Sequence, residues 1–150
     1  MRLGELAEAT GKGFFAGVAG TAAISASMAV EAKLRNKELG PVQAEAVEKV
    51  AGVAPKGEEE KERLANLVHW QYGAAWGALR GVMSLLPLSP PTATAVHFGL
   101  VWGAAGTLLP TLKLAPPPTK QPPAEVALNT LHHLLYAAVT SAAFEFLDAQ

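Results

Sequence analysis

The sequence predicts an all-α fold, an integral membrane four-helix bundle made of two helical hairpins with a short amphipathic helix in the first connector. Three observations predict it. Asp, Glu, Lys and Arg are missing from Gly13 to Val30, from Leu64 to Leu79, from Gly81 to Leu112 and from Val126 to Phe144. About 20 such residues cross a hydrocarbon core about 30 Å thick. These runs are rich in Gly and Ala, which let helix backbones meet where lipid gives no hydrophobic drive. Finally, Gly40-Pro41, the stretch from Pro87 to Pro91 and the stretch from Ala115 to Pro123 separate the runs with residues that interrupt helices. The 150 residues suit a single transmembrane domain.

The first span is expected at 12–34. The segment ahead of it carries Glu5 and Glu8, and no A-x-A site follows the apolar run, so it reads as a retained helix rather than a cleaved signal. After Gly40, Pro41 suits a first helical turn. Val42, Ala46, Val50 and Val53 then recur at helical spacing, opposite Glu45 and Lys49, which predicts an amphipathic helix at 41–53 lying on the membrane surface or against the bundle. Glu58, Glu59 and Glu60 stand where the next helix dipole favours acids.

The second span is expected at 62–86, the third at 92–113 and the fourth at 124–147. The proline-rich stretch between the last two reads as an extended, stiff connector. Alternating spans put both termini on one side. Basic residues concentrate around the first and third connectors (Lys33, Arg35, Lys37, Lys49, Lys56, Lys61, Arg63, Lys113, Lys120), so the positive-inside rule places those connectors in the cytoplasm.

Composition also excludes. No cysteine is present, so there is no disulfide, thiolate metal site or cysteine nucleophile. A net charge of −1 with bases interspersed among acids argues against a nucleic-acid partner. No nucleophile elbow, phosphate loop or hydrolase-spaced acid pair is present, so the chain does not read as an enzyme. Ser25, Ser27, Thr140 and Ser141 read instead as hydroxyls that bond within or between helices.

An internal repeat is visible. Gly13, Gly17, Gly20 and Thr21 form G-x-x-x-G-x-x-G-T, and Gly99, Gly103, Gly106 and Thr107 form it again. His69, Tyr72, Gly73 and Ala74 likewise match His133, Tyr136, Ala137 and Ala138. The pairing suggests two hairpins of one topology. Glycines at such spacing make a flat face for helix crossing, and Gly73, Gly77 and Gly81 extend that property to the second span.

Polar residues inside the spans fall into two expected layers. Glu31, His69, His132 and His133, with Tyr72 and Tyr136 nearby, form one, a candidate ligand or proton site, since imidazole titrates near neutrality and binds metals. Hydrogen bonds to a backbone carbonyl or tyrosine of a neighbouring helix, or a place at the headgroup boundary, explain such histidines more often, because no H-x-x-x-H or H-E-x-x-H spacing fixes a metal geometry. Lys12, Arg80, His97 and Glu145 form the other layer. An intramembrane arginine needs a partner, and Glu145 stands at similar depth to Arg80.

The stretches Ala16 to Ala23, Val68 to Gly77 with Arg80-Gly81, and Leu131 to Tyr136 after the proline-rich connector resemble the YagU-like family of small bacterial inner-membrane proteins. The resemblance covers nearly the whole chain. It implies a multi-pass inner-membrane protein, brings no reaction or ligand, and points to His69, Trp70, Tyr72, Gly73, Trp76, Gly77, Arg80 and His133 as family-like positions. The charged first connector departs from it.

Three functions follow as expectations. The first is a non-enzymatic membrane protein surrounded by lipid, self-associating or serving as an accessory subunit of a membrane complex. The second is a proton- or ion-handling transporter or channel using Glu31, His69 and His133. The third is haem or metal binding by paired histidines, with the cofactor itself unspecified.

Overall fold

The computed structural model describes residues 2–36, 42–52 and 55–150. Among them are five α-helices and no strand: α1 (Leu3–Arg35), α2 (Val42–Ala51), α3 (Glu58–Met83), α4 (Pro90–Thr111) and α5 (Pro123–Asp148), with a single 3₁₀ turn at Pro118–Lys120. Two of them, α1 and α4, are long and apolar enough to cross a membrane. The Gly40-Pro41 break, Lys37 and the expected helix end at Val53 lie outside the described residues.

The boundaries have local causes. α1 begins nine residues before the expected span because an apolar run measures a membrane crossing, not a helix. Its first turn is helix-competent, and the Arg2 amide donates to Glu5 Oε2 at 2.9 Å. It ends at Asn36, which takes the left-handed conformation (φ 50°) that asparagine tolerates, and donates its amide to Ala32 O. α3 stops at Met83, short of Leu86, because the amides of Ser84, Leu85 and Leu86 turn back to Gly81, Val82 and Met83 ahead of Pro87. Ser89 caps α4, with Pro90 and Pro91 in its first turn, and Pro123 opens α5.

Helices α1, α3 and α5 form the tightly packed unit, with α1 antiparallel to both of the others. α4 lies against α5 and touches α3 more lightly, while α2 rests on α3. The α1–α3 crossing is made by glycine. A Cβ placed on Gly17 would lie 2.6 Å from Gly73 O and 2.8 Å from Gly77 Cα, and one on Gly13 would lie 2.8 Å from Gly81 Cα. Any side chain at these positions would separate the two backbones.

Several polar side chains are buried among alanine and glycine, and large apolar side chains lie on the surface. The largest fully buried side chains are His97, Thr21 and Thr140, and the apolar core is a small cluster of Ile24, Val101 and Tyr136 backed by Met28 and Trp76. Phe15, Leu34, Leu131, Leu134 and Phe146 all lie exposed on the outside. α5 shows both along one helix: His132, Tyr136, Thr140, Ser141 and Phe144 face inward while Leu131, Leu134 and Phe146 face out.

Candidate functional site: polar groups buried along the bundle

The inward stripe of α5 places polar side chains at three depths. At one end His132 reaches across to α1. Its Nδ1 is 2.8 Å from Ser27 Oγ and its Nε2 2.7 Å from Glu31 Oε2. Glu31 also accepts from Arg35 at 2.5 Å, and Arg35 pairs in turn with Glu125 in the first turn of α5. Glu125 and then Glu31 raise the Arg35 pKa above its ordinary value, so this guanidinium stays charged. Ser27 and Glu31, one turn apart on α1, thus bracket an imidazole from the facing helix.

The order hydroxyl, imidazole, carboxylate resembles a nucleophile relay. Ser27, however, sits inside α1, where the backbone N–H groups around it are committed to the helix.

Deeper in, His69 on α3 meets Ser25 Oγ through Nε2 at 3.0 Å and the Gln43 amide of α2 through Nδ1 at 3.4 Å. Tyr136 donates its hydroxyl to Gly73 O at 2.6 Å, and the Thr21 hydroxyl, which donates to Gly17 O at 2.7 Å, faces the same glycine. On the other side of Tyr136 stands His97 of α4, fully buried, its ring centroid 5.7 Å from that of Tyr136. His97 Nε2 is 3.0 Å from Trp76 O, which makes Nε2 the donor, and Nδ1 has no protein partner. Thr140 Oγ1 is also buried, next to Tyr136 and against Gly20 of α1.

At the far end Arg80, 2 % exposed, donates Nε to Ser141 Oγ at 3.0 Å and lies 3.4 Å from Glu145 Oε1 through Nη2. Its guanidinium stands over the Phe144 ring, 5.0 Å from the centroid. Beside it Lys12 bridges Glu8 (2.7 Å) and Asp148 (3.1 Å), closing this end of the bundle.

The structure therefore distributes the sequence-predicted residues over separate places. Glu31 and His132 meet, as do Arg80 and Glu145, whereas His133 turns to its own helix and bonds Asn129 O at 2.8 Å. Tyr72 is exposed, edge-on to Trp76. No group of three or more His, Asp or Glu that would hold a metal ion lies among the described residues.

The two copies of the glycine string also differ. Gly13, Gly17 and Gly20 are buried against α3 and α5, while a Cβ on Gly99 or Gly103 would meet nothing within 4 Å, and one on Gly106 only Pro118 at 3.4 Å. Sequence reading assigned His97 to the outer charged layer. Its inward position had no marker in a run as uniformly apolar as α4. The stripe on α5 did have one, since Tyr136 and Thr140 follow His132, not His133, at steps of four.

Compared with known proteins, the chain matches no family model, no curated protein and no solved structure.

Proposed function

We propose that this chain is a multi-pass inner-membrane protein whose four long helices α1, α3, α4 and α5 all cross the bilayer, and that it works by association, α4 pairing with α4 of a second copy. Membership of the YagU-like family belongs to the same proposal. Support for lipid around the bundle comes from the large apolar side chains on its outside, since Phe15, Leu34, Leu131, Leu134 and Phe146 exposed together are costly in water and favourable in hydrocarbon. α5 falls short of α1 and α4 in apolarity in part because it carries the inward polar stripe, and α3 because its first turns expose Glu58, Glu59, Glu60, Glu62 and Arg63.

The observation that carries association is the outward glycine face of α4. The string that lets α1 touch α3 is repeated on α4, where Gly99 and Gly103 face away from the rest of the chain. A second α4 crossing at that face would be self-complementary, as a two-fold contact requires. An accessory role in a larger complex would use the same surface.

The geometry makes the test clean, since side chains at these two positions have room in the single chain. In detergent, the double variant Gly99→Leu with Gly103→Leu is expected to keep the wild-type melting temperature and lose self-association by analytical ultracentrifugation. Wild-type protein that stays monomeric at high concentration, and recovers no subunit from native membranes, would overturn the association.

A further inference from the structure

We propose that His97 is a protonatable station at mid-depth on a proton path through the bundle, running from Glu145 at one end to the His132–Glu31 pair at the other. The inference rests on the reading that these helices cross a membrane, and it is independent of association through α4.

The path is laid out by α5. His132, Tyr136, Thr140, Ser141 and Glu145 face the bundle in succession. Steps of four residues are about 6 Å along a helix axis, so the path requires one water between successive stations. The two ends carry titratable groups and open to opposite sides. Glu145 is half exposed at 48 %, and the Glu31 carboxylate lies at the mouth formed with Arg35 and Glu125. Between them, His97 Nδ1 is buried without a protein partner beside the ring of Tyr136, and Thr140 lies one turn along α5 from Tyr136, its hydroxyl next to that tyrosine and against Gly20 of α1.

His97 is fixed on one nitrogen and open on the other. With Nε2–H held on Trp76 O, the Nδ1 lone pair is buried and free to accept a proton. A proton taken up at Nδ1 gives an imidazolium that keeps its Trp76 bond, and loss of the same proton restores the starting tautomer, so nothing but the proton moves. Facing His97 are Tyr136 from α5 and, from α3, Trp76 with Arg80 one turn beyond it; facing Glu145 are Arg80 and Ser141; facing His132 are Ser27, Glu31 and, through Glu31, Arg35 and Glu125. Arg80 is the fixed cation of the path. Its bonds to Ser141 and Glu145 tie it to the Glu145 end, and His97 and Tyr136 lie buried between the two ends, His97 with an open ring nitrogen.

The test uses the full chain in liposomes carrying an internal pH-sensitive dye, with a potassium gradient and valinomycin supplying the driving force. Retention in the vesicles after a carbonate wash tests the membrane reading separately. Retained wild-type protein is expected to pass protons well above protein-free vesicles. His97→Gln, which preserves a donor to Trp76 O, and Thr140→Val are each expected to lose that flux, while Leu134→Ala on the outer face keeps it. Retained wild-type protein with no flux would overturn the path, and full flux in His97→Gln would overturn the station. Should His97→Gln fail to fold, Thr140→Val decides: loss of flux supports the path, and full flux overturns it.

Discussion

At Gly17 the distance between two helix axes is decided by one missing methyl group. The Cβ of an alanine would stand 2.6 Å from Gly73 O and 2.8 Å from Gly77 Cα, against backbone atoms that have no rotamer to change. Gly17→Ala is therefore expected to destabilise the protein by about 1–3 kcal/mol, the usual cost of overpacking a closely fitted site, seen as a lower melting temperature in detergent. The adjacent histidines divide as sharply. His132 spans two helices through Ser27 and Glu31, whereas His133 bonds a carbonyl of its own helix. His132→Ala leaves Ser27 and the Glu31 carboxylate without their partner. It is expected to cost about 1–3 kcal/mol, against no more than about 0.5 kcal/mol for His133→Ala, measured by parallel thermal melts.

At the scale of elements, the ends of helices are held by particular side chains. Lys49 of α2 donates to Leu112 O at 2.6 Å, placing a cation on an unsatisfied carbonyl at the end of α4. Lys49→Ala should cost only about 0.3–1 kcal/mol. Its signature is local, namely faster hydrogen exchange at Leu112 and Lys113 with α1 and α3 unchanged. Element positions were legible in the sequence because each depends on near neighbours: uncharged runs, Ser89 with its two prolines, Pro123, and the Pro87 stop. Which helices pack tightly was less so. Gly13 to Thr21 and Gly99 to Thr107 read alike, yet one string lies inside the bundle and the other outside, since the string records a capacity for close contact and not the direction in which it is used. The histidine pairing of the candidate site depends on helix phase, and a shift of one residue turns a side chain by about 100°, enough to separate His132 from His133.

For the molecule as a whole, the polar groups are organised by depth. Arg35, Glu125, Glu31 and His132 close one end, Lys12, Glu8, Asp148, Arg80 and Glu145 the other, and Thr21, His97, Tyr136 and Thr140 lie between, enclosed by aliphatic and aromatic side chains. The proposed lipid surroundings would account for that order, because packing and interhelical hydrogen bonds hold helices together there in place of hydrophobic burial. Because the sequence has no cysteine, single cysteines report sidedness without background. In membrane vesicles of known orientation, labelled with an impermeant maleimide, Lys56→Cys and Lys120→Cys are expected to react from one side and Arg2→Cys, Leu86→Cys and Gln150→Cys from the other. Reaction of all five from the same side, or recovery of the folded chain in the aqueous fraction, would contradict four crossings.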